Sequence, residues 1–322
     1  MAFVRTVLGD IDAAELGVTY SHEHVVIAGG RPVEMSPDFR LDDVERIAGE
    51  LREVKAMGLG AVVDAMPADC GRDAERLAEV SRRSGVHVVA PTGLHHARFY
   101  DERHWSGRAS AEQIADLFTA DIEDGIDAYD YGGPIIERTP HRAGVIKVGG
   151  SGEFPTERDG RVFDAATMAQ RRTGCPILTH CENGVRALEQ VAVLTGHGAD
   201  PAHIVLSHVD KVVDRAYHRE IAATGALLEY DQAFRWKDAE NGTLQLIEWL
   251  VEDGLAGQVV LGLDAARQGY WSSYGGSPGM GYLLGDFSRQ MRERGIGEDV
   301  LEAFFVRNPA AAFAFIEDAG RA

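Results

Sequence analysis

Residues 176–208 read PILTHCENGVRALEQVAVLTGHGADPAHIVLSH. The stretch opens on a short apolar run, Pro176–His180, and closes on another, Ile204–His208. Between them, Gly184–Thr195 carries apolar residues at helical spacing with charges interleaved. That is a strand, a helix and a second strand, the signature of two parallel strands joined by a crossover helix. The unit repeats in both directions along the chain. Strands are predicted at Val18–Val26, Ala61–Asp64, Val86–Thr92, Gly144–Val148, Pro176–His180, Ile204–His208, Ala226–Tyr230 and Val259–Asp264. Helical patterns fall at Leu41–Met57, Asp73–Ser84, Ala111–Asp124, Asp164–Thr173, Gly184–Thr195, Tyr217–Thr224, Leu244–Glu252 and Gly281–Arg294. Eight such strands predict an α/β fold closed as a (β/α)8 TIM barrel, where five or six would suit an open sheet. The 322 residues are ample for one barrel, which typically takes about 250. No linker or low-complexity tract divides the chain, so residues 1–322 are expected to form a single domain. The tail, Glu302–Ile316, reads as a final helix capping the barrel.

Composition narrows the partners. With 51 acidic against 32 basic residues the net charge is −19, which disfavours nucleic acid and anionic membranes. No run of about 18 apolar residues occurs, so no membrane span is expected. The start, MAFVRTVLGDIDAAELG, lacks a cationic stretch followed by an apolar one, so no signal peptide is expected. Three cysteines, Cys70, Cys175 and Cys181, make no disulfide framework and suit a reducing, cytoplasmic setting.

In a barrel of this kind the active site lies where the strands end at their C-terminal face. The polar residues at those ends are His22 and His24 on the first strand, Lys147 on the fourth, His180 on the fifth, His208 on the sixth and Asp264 on the eighth. Side chains two apart on a strand share a face, so His22 and His24 converge while Glu23 points away. Two converging imidazoles suit one metal ion, or a hydrogen-bonded core pair. The recurrence of His180, His208 and Asp264 at the same level favours metal. Lys147 lies amid Gly144, Val145, Ile146 and Val148, a buried run that penalises an ammonium and favours a neutral amine. Such an amine reacts with carbon dioxide to give a carbamate, whose two oxygens can bridge two metals. A lysine reaching the mouth to pair with an acid, or one forming a Schiff base, fits the same burial. The six ligands are nitrogen and oxygen donors without thiolate. They suit two zinc ions and tolerate cobalt, manganese or iron. Two ions would lower the pKa of a bound water, giving a hydroxide that attacks an acyl or phosphoryl centre, with Asp264 accepting the proton.

These residues, with their surroundings, resemble the phosphotriesterase family of the amidohydrolase superfamily across essentially the whole chain. The matching segments are Thr6-Val7-Leu8-Gly9, Ser21-His22-Glu23-His24, Gly71-Arg72-Asp73, Pro91-Thr92-Gly93, Ile146-Lys147-Val148, Thr179-His180, Ser207-His208-Val209-Asp210 and Leu263-Asp264, then Tyr270-Trp271, Tyr274-Gly275-Gly276 and Asn308-Pro309. The resemblance implies that His22, His24 and Asp264 bind the more buried metal and that His180 and His208 bind the more exposed one. It implies that Lys147, as N6-carboxylysine, bridges them, and that the chain is a homodimer. Members of the family hydrolyse organophosphates, lactones, carboxylic esters or N-acyl amines, so the resemblance leaves the bond open.

Loops after the strands set the substrate. Asp264-Ala265-Ala266-Arg267-Gln268-Gly269-Tyr270 is similar to an Asp-x-x-Arg-x-x-Tyr pattern that holds the phosphate of phosphorylated sugar lactones in the family. There a lysine from the loop after the seventh strand assists, and here that loop offers Arg235 and Lys237. Arg267 and Tyr270 with these cations would bind an anion; alternatively Arg267 forms a salt bridge with a loop acid, and Lys237 is solvated. The loop after the third strand brings His95 and His96, which could contact the substrate. In Glu229-Tyr230-Asp231-Gln232, a glutamine stands where the organophosphate hydrolases carry a relay histidine. The expected activity is therefore a lactonase, acting on a phosphorylated or otherwise anionic sugar lactone. An amide, ester or phosphotriester hydrolase on the same site is the alternative, and a non-catalytic small-molecule-binding barrel a more distant one.

Overall fold

A computed structural model describes residues 2–237 and 240–316. It begins with an antiparallel hairpin, β1 (Phe3–Thr6) and β2 (Gly9–Asp12), which the sequence pattern did not announce. The barrel follows: β3 (Val18–Glu23), β4 (Leu59–Asp64), β5 (His87–Val89), β6 (Pro91–Leu94), β7 (Val145–Gly150), β8 (Ile177–Cys181), β9 (Ile204–Ser207), β10 (Leu227–Tyr230) and β11 (Val259–Leu261). All pairings among these are parallel. β5 and β6 are two halves of one strand interrupted at Ala90, whose carbonyl accepts from Gly144 N–H at 2.8 Å. The ring closes where the Asp264 N–H donates to the His22 carbonyl at 3.0 Å, beside β11 and β3. Eight parallel strands thus make the (β/α)8 barrel.

The helices lie close to their predicted places. They include α1 (Gly30–Met35), α2 (Val44–Ala56), α3 (Ala74–Ser84), α4 (Ala111–Glu123), α5 (Glu157–Thr173), α6 (Ala187–Gly196), α7 (Arg215–Ala223) and α8 (Gly242–Glu252). Capping side chains set several starts: Asp43, Asp73, Ser110, Thr156 and Asn241 each accept a backbone N–H of the first turn. The stretch predicted as one helix over Gly281–Arg294 is a π-type turn, Leu283–Phe287, leading into α9 (Ser288–Glu293). The tail helix starts earlier than expected and is not uniform. α10 (Glu298–Glu302) passes through a π-type turn, Ala303–Arg307, into α11 (Asn308–Ala312). Among the described residues no helix is long and apolar enough to cross a membrane.

Strand alternation builds the inside in layers. Ala61, Val63, Val89, Val145, Leu178, Val205, Leu227 and Val260 form one buried cluster, plugged from below by Val4, Leu16 and Phe313. The tail therefore caps the floor, sharing it with the N-terminal hairpin. Two residues further along each strand the side chain again faces inward, one layer nearer the mouth. Those positions are Lys147, His180, Ser207, Glu229 and Gly262, all on the C-terminal side of the floor. On β3 the register slips between Tyr20 and Glu23, three residues against two on β4. The bulge lets Tyr20 face outward, its hydroxyl on the Met280 carbonyl at 3.0 Å, while His22 turns inward. Glu23 leaves the barrel interior and accepts from Leu263 N–H at 2.8 Å.

The layer holding Lys147 depends on Gly93, which pairs with it across β6 and β7. Gly93 has φ +111, and a Cβ there would collide with the Lys147 carbonyl. Gly93→Ala is expected to lower the unfolding free energy by at least about 2 kcal/mol. Urea titration checks this, and an unchanged midpoint would contradict the close approach.

Candidate metal centre

The strand ends bring the predicted ligands into one cavity of about 260 Å³, whose wall includes His22, His24, Lys147, His180, His208 and Asp264. They form two converging sets. In the first, His22 Nε2 and His24 Nε2 lie 3.8 and 3.2 Å from Asp264 Oδ1. In the second, His208 Nε2 lies 2.8 Å from His180 Nδ1. Two backbone conformations aim these side chains: His208 and Asp264 both have positive φ, 67 and 50. Such conformations are uncommon outside glycine and gather at functional sites.

Hydrogen bonds on the far side of each ring decide what the near side offers. His208 Nδ1 sits 2.5 Å from Asp231 Oδ2, and His180 Nε2 sits 2.7 Å from Glu182 Oε2. A carboxylate only accepts, so each ring donates its one N–H backwards. The facing nitrogens then present two lone pairs to each other, which is repulsive unless a cation lies between them. His22 follows the same pattern, with Nδ1 2.9 Å from Ser207 Oγ and 3.3 Å from Glu229 Oε2. In His24 the Nδ1 is buried without a partner. Carboxylate-backed imidazoles converging by their free nitrogens fit a metal site.

The electrostatics agree. Burial holds His22, His180 and His208 below the ordinary imidazole range, so they stay neutral, the form that binds metal. Burial pushes the Asp264 carboxyl up, but Arg235 and His24 outweigh this and keep it well below the usual carboxylate range. Lys147 is 1% exposed and donates to the Thr179 carbonyl at 2.9 Å. Burial lowers it from 10.5 to about 8, against the pull of Glu229 and Asp264.

The residues expected to meet substrate divide. Arg267 and Tyr270 line the cavity, as do Arg235 and His95. Arg235 is committed to the scaffold: it donates to the carbonyls of Leu263 and Asp264 at 2.8 and 2.6 Å and pairs with Asp264 Oδ2 at 3.2 Å. Arg267 pairs with Asp38 at 2.7 Å and lies over the Phe39 ring, so it stands at the rim with an acid partner. His96 is buried and faces Glu182 at 3.5 Å. Lys237 does not join them. It is exposed and follows Trp236, whose indole N–H turns away to Thr243 at 2.9 Å. Sequence reasoning gave no role of its own to three charged wall residues, Arg98 in the loop after the third strand, Glu182 and Lys211. A signal existed for the last two, since Glu182 and Lys211 lie two and three residues after predicted ligands.

The sequence profile of the phosphotriesterase family matches residues 2–313. The chain belongs to the phosphotriesterase family. Its members are binuclear metal hydrolases, and the chain is a hydrolase whose His and Asp clusters suit that chemistry. A phospho-furanose lactonase from Mycoplasmopsis synoviae (strain 53) is 34% identical, over 98% of this chain and 92% of the relative. A solved lactonase from Listeria monocytogenes superposes with a TM-score of 0.89 at 28% identity, covering 98% of this chain and 100% of its own. The phosphotriesterase homology protein of Escherichia coli, solved with phosphate in its active site, gives 0.85 at 28% identity, over 93% and 99% of the two chains.

The lowered Lys147 pKa has a measurable consequence. Between about pH 8 and 10.5 the unfolded chain holds a proton on this lysine that the folded chain does not. Stability of the metal-free protein should therefore rise with pH across that window, relative to Lys147→Met. Urea unfolding of both proteins from pH 7 to 10 checks this; a constant difference would contradict the buried amine.

Proposed function

We propose that this chain is a dinuclear metal-dependent lactonase that opens a phosphorylated sugar lactone. The observation that carries the substrate class is Lys211. Lys211 is an exposed residue that lines the cavity just beyond His208, and among the described residues its side chain makes no ion pair or hydrogen bond. A cation without a partner at the mouth of a protein of net charge −19 implies an anionic ligand. Arg267 and Tyr270 line the same cavity. The likeness to a phospho-furanose lactonase supports the same class.

Lys147 would help hold both ions as a carbamate, formed when its neutral amine adds to carbon dioxide and releases a proton. His22, His24 and Asp264 would hold one ion, and His180 and His208 the other. The donor set favours zinc. When bound, the ions supply Lewis acidity, lowering the pKa of water and polarising a carbonyl oxygen. The rest falls to the chain. Asp264 stays ionised and positioned by Arg235, ready to accept the proton released as water adds to the acyl carbon. It can return that proton to the ring oxygen as the acyl C–O bond breaks. Gln232 donates to Asp231, and Asp231 is taken up by His208, so neither forms a relay. His95 Nδ1 accepts the His96 N–H at 2.9 Å, which leaves its Nε2–H as a donor on the cavity wall. The three buried, free thiols support a cytoplasmic setting.

Kinetics on a furanose lactone with and without its phosphate, using metal-reconstituted enzyme, test the proposal. Lys211→Ala should raise KM about 10- to 100-fold for the phosphorylated lactone, the loss of one charged hydrogen bond. The neutral lactone should change far less, and Arg267→Ala should act more weakly because Asp38 already holds it. Turnover of an N-acyl amine or ester, with none of any lactone, would overturn the assignment.

A further inference from the structure

Glu182 is a cavity-wall carboxylate that backs His180 and also faces the loop after the third strand. It lies at the end of β8, two residues beyond His180, in a short turn whose next residue, Asn183, has φ 56. Its Oε2 is 2.7 Å from His180 Nε2 and 3.5 Å from His96 Nε2, and its Oε1 is 3.6 Å from Arg98 Nη1. His96 Nε2 is buried, and by strict hydrogen-bond geometry it has no partner. One carboxylate therefore stands between a candidate metal ligand and two side chains of the loop after the split third strand.

We propose that Glu182 is a positioning residue for the His180–His208 half of the centre, and that it ties the loop bearing His96 and Arg98 to that half. The proposal rests on the dinuclear reading. His180 can offer Nδ1 towards His208 only while its proton stays on Nε2, and Glu182 is the acceptor that keeps it there. Without that acceptor the proton can move to Nδ1, directly against His208 Nε2, and the ring can turn towards His96. Oε1, left free by His180, reaches towards Arg98, which also lies over the Phe99 ring at 5.0 Å. The loop is thus anchored by the same group that orients the ligand. In the other half His22 Nδ1 meets Ser207 and Glu229, while among the described residues His24 Nδ1 has no partner and no loop is tied to either ring.

The test compares wild type, Glu182→Gln and Glu182→Ala as purified full-length proteins loaded with zinc. Metal content is followed during dialysis against a graded chelator, and thermal unfolding is recorded for the metal-free forms. Wild type should hold two zinc ions. Glu182→Ala should release one of them about 10- to 100-fold more readily and keep the other, the range for losing a carboxylate behind a ligating histidine. Glu182→Gln, which still accepts through its amide oxygen but lacks the charge, should fall between. The melting temperatures of the metal-free forms should stay together. Equal retention of both ions in all three proteins would overturn the proposal. So would loss of both ions in parallel with a lowered melting temperature, the mark of a purely structural role. A wild type that holds two ions while the variants match it would leave the dinuclear reading standing and reject the role of Glu182 alone.

Discussion

Two imidazole nitrogens facing each other at 2.8 Å, each with a carboxylate behind its ring, are the constraint around which this molecule is organised. The carboxylates claim the protons, so the nitrogens can only offer lone pairs, and two lone pairs at that distance call for a cation. His22 repeats the device with Ser207 and Glu229 behind it. Glu229 meets His22 only as a close charge, without a hydrogen bond, and burial followed by repulsion from Asp231 pushes its carboxyl well above the usual range. A buried carboxyl, a lysine lowered to about 8 and several neutral imidazoles are crowded together at the barrel mouth. Bringing so many polar groups out of water is costly. A stack of aliphatic residues beneath them supplies the rigid floor that holds them in place.

The barrel makes that arrangement with few devices. Alternation along the strands sets aliphatic side chains at one level and polar ones two residues later. Positive φ at His208 and Asp264 turns the last side chains into the mouth. The bulge on β3 does the same for His22 by moving one strand out of step. Glycine at 93 and 262 keeps room for them: a Cβ on Gly262 would come within 2.8 Å of the His22 backbone and 2.7 Å of Glu229. The fold and the chemistry are therefore set by overlapping residues.

Much of this was legible from the chain alone, for physical reasons. Strands buried on both faces read as apolar runs, so all eight showed. Ligands at strand ends inherit the position of those runs, so His22, His24, Lys147, His180, His208 and Asp264 stood out together. What escaped depended on contacts distant in sequence. Val86–Thr92 reads as one apolar run, although Pro91, which has no N–H to give the ladder, is a local mark of the break at Ala90. The Phe3–Asp12 hairpin is short, and its second strand alternates between half-buried and exposed, too weak a pattern to register. Arg235 looked like a free cation, while for Arg267 a salt bridge with a loop acid was already one of the two readings, with the acid unnamed. Asp264 and Asp38, which occupy them, lie 29 and 229 residues away. Lys211 and Glu182 were overshadowed by the histidines beside them, while Lys237 is exposed, as the solvated reading of it had it.

The account stands most directly on metal binding at Lys147, and anomalous diffraction from crystals of the zinc-loaded protein measures it. Two anomalous peaks are predicted in the cavity, one beside His22, His24 and Asp264 and the other beside His180 and His208, with density continuous from Lys147 Nζ bridging them. A single peak, or none, with Lys147 ending in a bare amine that still donates to the Thr179 carbonyl, would contradict it.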